Sequence, residues 1–384
     1  MKLAVTTLVS CVAALLALGL VMLYSSSMVM VNSKTQTTIG AHYLIMQLIW
    51  CALGLGISVT ATALDYRLLK RFAWPLFILA VVLLALVLEP HLGKKINGAR
   101  RWFSIGGVSV QPSEFAKLAL IVILAWYGER YQRQMHTWQR GIVLPGLIIG
   151  IVLALIFVEP DRGSTVLLAA VSGAMLLIAG VRWSYFLPPI LMGLVALTVS
   201  LLLDPVRSKR IFSWWYLEES RSGVGYQADQ AMLALGAGGW TGLGLGNGRQ
   251  KLGFIPFHHT DFIFSIIGEE LGLIATLLVV LAFILIVICG IYIAVHARDT
   301  FGLLLGAGLT FLIGLQAFIN IGVVTSALPN KGLPLPFISY GGSNLLLMLG
   351  CVGVLLSIAR QGRAAATEVN PFAATDELPT EQTA

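Results

Sequence analysis

Apolar runs of membrane-crossing length recur along the whole chain, and no other feature limits the fold so tightly. A helix needs about 20 predominantly apolar residues to cross a bilayer's hydrocarbon core. Such runs fall at about 5–29, 44–63, 72–89, 114–127, 142–158, 164–181, 186–203, 262–294, 302–323 and 343–359. Composition agrees. Of the residues, 57% are hydrophobic and 11% charged, where a soluble domain carries about 25% charged residues, and the mean hydropathy is +0.87. The expected fold is all-α: a polytopic integral membrane protein over 1–360 with about ten transmembrane helices. One long extracytoplasmic loop is expected at 204–261 and a disordered cytoplasmic tail at 361–384. The first run, "MKLAVTTLVSCVAALLALGLVML", exceeds the roughly 7–15 apolar residues of a secretory signal and reads as an uncleaved helix. Cys11, Cys51, Cys289 and Cys351 lie inside apolar runs without metal or disulfide spacing, so they read as packing residues.

Orientation follows from the basic residues of the loops. Alternating the runs divides the 25 Lys and Arg residues into 11 on one side and 14 on the other. The first side has short, plain connectors such as "DYRLLKR" and "HARDTF"; the second has longer loops rich in Gly, Pro, Asn and Trp. Long loops cross largely regardless of charge, so both termini are expected in the cytoplasm. The basic outer side then suits an anionic ligand. Within the long loop, Trp214, Trp215 and Tyr216 suit headgroup level, and "YQADQAMLALGAGGW" reads as a short amphipathic or re-entrant helix.

Several polar stretches interrupt this pattern. "HHTDFIFSIIGEELG" puts three acids where a charge is costly. Asp261 stands at the rim, either as a helix N-cap with Thr260 as rival or as a reactive acid. Glu269 lies about 12 Å deeper on a helix, and Glu269 and Glu270 are expected to pair with Arg or Lys inside the bundle. In "INGARRWFSIGGVSVQPSEFAKLAL", Ser113 can cap the next helix. Glu114 and Lys117 stand at i and i+3, which suits an ion pair, while Arg100 and Arg101 nearby suit a phosphate. In "VEPDRGS", Asp161 and Ser164 can cap the following helix, or Asp161 can face the outer cavity. "LPNKGLPLPFISYGGSN" is irregular backbone between two spans, tolerated where protein buries it or a watery cavity adjoins it. Lys331 and Ser339 lie in it as candidate lining. "GLGLGNGRQ" lacks the flanking strand and helix of a dinucleotide site. His258 and His259 lack a second ligand cluster for zinc.

Together "NGARRW", "QPSEFAKL", "EPDRGS", "NGRQKLGFIPFHHTDFIFSIIGEELG" and "LPNKGLPLPFISYGGSN", in order from 97 to 344, resemble the SEDS family (shape, elongation, division and sporulation). The match is most like its division-type FtsW branch, next its elongation-type RodA branch. Lys331 is a division-type trait, whereas Phe257 and Asn344 depart from the commonest pattern. The resemblance implies a peptidoglycan glycosyltransferase that polymerises lipid II at the outer face of the cytoplasmic membrane, at the septum. It implies a class B penicillin-binding protein and other divisome proteins as partners, and no nucleic acid. It puts the essential acid at Asp261 and substrate-binding groups at Arg101, Glu114, Lys117, Asp161, Lys331 and Ser339. No cofactor or protein-held metal is implied with certainty; a divalent cation (Mg or Mn) could accompany the substrate pyrophosphate. Intramembrane acids and broken helices would also suit a flippase or transporter of the lipid-linked precursor, and a third reading is a scaffold without catalysis.

Overall fold

The computed structural model describes residues 1–27, 40–96, 99–105, 108–202, 214–215, 225–255, 259–329 and 331–369. Every apolar run is a helix. They are α1 (Lys2–Ser27), α2 (Gly40–Ala63), the short α3 (Arg67–Arg71), α4 (Ala73–Leu88), α5 (Pro112–Arg130), α6 (Leu144–Val158), α7 (Arg162–Ile178) and α8 (Leu187–Leu202). After the partly described loop come α9 (Tyr226–Gly238), α10 (Ile263–Val295), α11 (Thr300–Val324) and α12 (Gly342–Val369). Among the described residues, six of the helical stretches are long and apolar enough to cross a membrane, and three shorter apolar ones accompany them. The protein is a polytopic membrane bundle. Parts of the expected loop (204–213, 216–224 and 256–258) and the expected tail from 370 onward lie outside the described residues; α12 itself runs on to Val369.

The lipid-facing and buried sides separate as helical periodicity requires. On α10, Ile274, Leu277, Leu278, Leu281, Ile284, Ile288 and Ile291 are exposed, while Thr276, Val279, Phe283, Ile286 and Ile293 face protein. In a bilayer the exposed stripe meets acyl chains, so it needs no protein partner. The short connectors gather at one end. Arg67 pairs with Asp299 at 2.9 Å and Lys70 with Glu129 at 2.6 Å, and Arg360 donates to the Ala63 carbonyl at 2.7 Å. Charged groups from three connectors and from the C-terminal part of α12 meet there, as the alternation of spans predicts.

At the other end the chain adds a feature that the apolar pattern did not reveal. Three antiparallel strands, β1 (Lys94–Ile96), β2 (Ala99–Ile105) and β3 (Val108–Val110), form a small sheet between α4 and α5. Lys94 stands opposite Trp102, and Phe103 opposite Val110. Asn97-Gly98 and Gly106-Gly107 separate the strands, dipeptides that favour two-residue hairpins. A second departure lies in α10. Gly272, with φ 79° and ψ −174°, breaks the helix. A Cβ there would come within 2.5 Å of the Trp240 carbonyl oxygen. The interrupted ladder is completed by the loop after α9. Leu273 and Ile274 N–H donate to the carbonyls of Gly239 and Trp240, at 2.9 and 3.3 Å. Leu243 and Gly244 N–H donate to the carbonyls of Glu269 and Glu270, each at 3.0 Å. No buried backbone group need stay unpaired at the break.

Candidate active site

Asp261 precedes α10 rather than capping it: Phe262 is the N-cap and no side chain caps the helix. The backbone around Asp261 is clamped to the 331–340 segment. Asn320 Nδ2 donates to the Asp261 carbonyl at 2.8 Å and to the Leu333 carbonyl at 2.7 Å. Ser339 Oγ donates to the Thr260 carbonyl at 2.5 Å and accepts from Leu335 N–H at 2.8 Å. Tyr340 N–H donates to the His259 carbonyl at 3.1 Å. Two irregular stretches thus satisfy each other's backbone. The Asp261 carboxylate itself, half-buried, makes no hydrogen bond or ion pair among the described residues. Its Oδ2 lies so close to Gly332 that a Cβ there would sit 2.6 Å away. Burial pushes its pKa up from 3.8 to about 6, with the like charge of Asp161 adding and Arg101 opposing.

Asp161 caps α7. Its Oδ1 accepts from Ser164 N–H at 3.1 Å, and its Oδ2 accepts from Ser164 Oγ at 2.9 Å and Gln111 Nε2 at 3.4 Å. Arg101, on β2, donates from Nε to the Glu159 carbonyl at 2.8 Å and from Nη2 to the Pro160 carbonyl at 2.5 Å. Its Nη1 stands 3.9 Å from Asp161 Oδ2. Two neutral carbonyls therefore aim the guanidinium, and a single distant carboxylate offsets its charge. Lys331 is half-buried and makes no ion pair among the described residues. Burial, and then the Arg162 charge, lower its pKa. Glu159 is fully buried, and neither carboxylate oxygen has a partner among the described residues. Burial first, then Asp161, raise its pKa from 4.5 to about 8 against the pull of Arg101. A neutral Glu159 leaves the Arg101 charge intact at neutral pH.

Glu114 and Lys117 are buried, 5% and 0% exposed. Lys117 Nζ donates to Glu114 Oε1 at 2.8 Å and to Gln316 Oε1 at 3.2 Å. Asn344 donates to Glu114 Oε2 at 3.0 Å, and Gln316 Nε2 to the Pro334 carbonyl at 2.9 Å. The pair thus ties α5, α11 and α12 to the 331–340 segment from behind. Ser113 is not the cap of α5, as expected from sequence; Gln111 is the N-cap and Pro112 opens the helix. Proline lacks the N–H that a cap would satisfy. The two deeper glutamates behave as structural acids. Glu270 Oε1 meets Lys251 Nζ at 2.6 Å, and its Oε2 accepts from Ser25 Oγ at 2.6 Å and Gly246 N–H at 3.1 Å. Glu269 accepts from the backbone N–H groups of Arg249 and Gln250, at 2.7 and 3.2 Å, instead of pairing with a cation. The Gly-rich "GLGLGNGRQ" stretch is the loop that wraps these acids.

Of the sequence-derived candidates, Asp261, Arg101 and Asp161 come together electrostatically; Lys331 precedes Gly332, which lies against the Asp261 carboxylate, while Ser339, Glu114 and Lys117 form the supporting wall. Reasoning from sequence missed Gln316, Asn320, Glu159 and Arg162. Gln316 and Asn320 stand at i and i+4 in an apolar span, 0% and 1% exposed. Two amides on one face of such a span were the available signal. A free carboxyl titrating near 6 can accept a proton at neutral pH, and the adjacent cations can hold anionic oxygens. Fold and site together define a polytopic membrane protein that can hold an anionic ligand beside a proton-accepting acid.

The chain belongs to the FtsW, RodA and SpoVE family of cell cycle proteins, whose pattern matches residues 6–364. It is 40% identical over 348 residues to the probable peptidoglycan glycosyltransferase FtsW of Trichlorobacter lovleyi, covering 91% of each chain. Its identity to the probable peptidoglycan glycosyltransferase FtsW of Coxiella burnetii is 41% over 358 residues, covering 92% of this chain and 95% of that one. Among solved structures, it resembles a chain from a peptidoglycan synthase complex that coordinates polymerization and crosslinking. That match has a TM-score of 0.77 at 30% identity, over 92% of this chain and 97% of the other. The rod shape determining protein RodA of Thermus thermophilus matches with a TM-score of 0.67 at 28% identity, over 92% and 96%.

Proposed function

We infer that the chain is a peptidoglycan glycosyltransferase of the division type, which joins lipid-linked disaccharide units into glycan strands. The FtsW relatives favour this over a flippase, a scaffold or an elongation-type enzyme. Asp261 is the proposed general base. An acceptor sugar hydroxyl attacks the anomeric carbon of the donor; Asp261 takes its proton as the new C–O bond forms. The bond from that carbon to the diphosphate oxygen breaks, and the lipid diphosphate leaves with the electron pair. Arg101 and Lys331 are proposed to stabilise the charge that collects on it. Asp161, Glu114, Lys117 and Ser339 are proposed to act by holding the backbone and helices around that centre. A divalent cation, if used, would rest mainly on the diphosphate: among the described residues no group of three or more His, Cys, Asp or Glu converges. Asp261 is the carboxylate open to such an ion.

The reading rests above all on one observation: Asp261 is held by its backbone on both sides while its carboxylate engages no partner among the described residues. Polymerisation of purified lipid II tests it. Asp261→Asn should abolish activity in a correctly folded protein, and the wild-type rate should rise with pH through about 6 as the base loses its proton. Full activity in the folded Asn variant would refute the assignment. We further propose that the site end faces outward from the bacterial cytoplasmic membrane, with both termini inside and the enzyme at the septum. A class B penicillin-binding protein is the proposed partner, with other divisome proteins. Fluorescent fusions and co-purification from dividing cells test these points.

A further inference from the structure

Three aromatic rings cluster at His259, two residues before Asp261, and the chemistry above does not use them. Tyr43 on α2 lies 5.2 Å from His259 and 5.0 Å from Tyr340 between ring centroids, and His259 lies 6.1 Å from Tyr340. The interplanar angles are 40°, 85° and 52°, so no ring stacks flat on another. Each side chain is half-buried. Neither tyrosine hydroxyl has a hydrogen-bond partner among the described residues. The scaffold beneath is held nonetheless. Tyr340 N–H bonds the His259 carbonyl, and Gln47, one turn along α2 from Tyr43, donates to the Ser339 carbonyl at 3.3 Å. Gly342 lets the Trp50 ring pack against the start of α12.

Two kinds of group therefore surround this stretch. Arg101 from β2 and Asp161 from α7 act on the Asp261 charge, and Arg162 acts on Lys331. From α2 and the approach to α12 come rings and phenol groups. A diphosphate is recognised by the first set. A pyranose has an apolar C–H face and a rim of hydroxyls, and tyrosine offers the matching pair, an apolar ring with a polar tip.

We propose that Tyr43, His259 and Tyr340 form an aromatic binding platform for the sugar that presents the attacking hydroxyl. This rests on the glycosyltransferase reading of Asp261 and adds a direction to it: anionic leaving group toward the cations, neutral acceptor sugar toward the rings. His259 is two residues from Asp261, so a sugar seated there brings its hydroxyl toward the base. Holding it in place makes the attack effectively unimolecular.

The test separates binding from chemistry. N,N′-diacetylchitobiose, a soluble saccharide without phosphate or lipid, is titrated against the full chain in detergent micelles and followed by saturation-transfer NMR. Wild type and Asp261→Asn should bind it equally. Tyr43→Ala and Tyr340→Ala should weaken binding about tenfold, the equivalent of about 1.4 kcal/mol. Tyr43→Phe, which keeps the ring and so the packing of α2, should stay within about threefold of wild type. Arg101→Ala should leave saccharide binding unchanged. Unaltered binding by folded Tyr43→Ala and Tyr340→Ala, or a loss in Arg101→Ala as large as theirs, overturns the proposal. The base assignment is judged separately, by whether Asp261→Asn polymerises lipid II.

Discussion

Lys251 and Glu270 form an ion pair sealed from water, with side chains 3% and 0% exposed and the charged atoms 2.6 Å apart. Ser25 bridges them, accepting from Lys251 Nζ at 3.1 Å and donating to Glu270 Oε2. Replacing Lys251 with methionine keeps the aliphatic length but strands a buried carboxylate, which retains only the Ser25 hydroxyl and the Gly246 N–H. Breaking such a pair from one side costs about 3–5 kcal/mol, mostly because the remaining charge is uncompensated. The double variant Lys251→Met with Glu270→Gln removes that charge and keeps a hydrogen-bonding amide for Ser25. Its loss should be much smaller, with a coupling of about 2 kcal/mol or more between the two changes. Ser25→Ala, which removes one bridge and leaves the charges paired, should cost about 1–2 kcal/mol. Equilibrium unfolding in mixed micelles, followed by tryptophan fluorescence, reads these variants beside wild type and the Glu270→Gln single variant that closes the cycle. The reasoning fails if Lys251→Met lies within about 0.5 kcal/mol of wild type, or if the double variant is as unstable as the single one.

Gly272→Ala should destabilise by at least about 1–2 kcal/mol in the same assay, because its positive φ disfavours any side chain and its Cβ would meet the loop after α9. Gly332→Ala should leave stability near wild type yet reduce lipid II polymerisation about 100-fold, since its Cβ displaces the Asp261 carboxylate. Wild-type behaviour there would place the reacting acid elsewhere. Glu159→Gln should change how stability depends on pH. The folded pKa of about 8 exceeds the ordinary 4.5, so the native state binds the extra proton and stability falls as pH rises from about 4.5 to about 8. The loss reaches up to about 5 kcal/mol above that range. The Gln variant should lack this fall; parallel melting-temperature profiles for the two proteins from pH 5 to 9 would contradict it.

What the sequence determined by itself is what local periodicity and local chemistry control. An apolar run of bilayer length becomes a helix wherever it lies, so the spans were legible. The cap on α7 was also legible, because Asp161 and Ser164 are three residues apart. Burial forces a charge to find partners, so structural roles for Glu269 and Glu270 could be expected, but not which groups would serve them. Ser25 reaches Glu270 across 245 positions, and Asn320 reaches Asp261 across 59. Such contacts leave no periodic trace. Tertiary structure alone decided that Asp261 is clamped by its backbone and free at its carboxylate. It also decided that backbone carbonyls aim Arg101, that Glu159 is buried without a partner among the described residues, and that α10 breaks where a loop can complete its hydrogen bonds. The small sheet escaped the sequence reading because its strands are short and lie in a connector, where an apolar pattern tuned to 20-residue spans has no purchase. The physical division is one of range: helix formation in lipid is decided within a segment, whereas the state of a charged side chain depends on which distant segments exclude water from it.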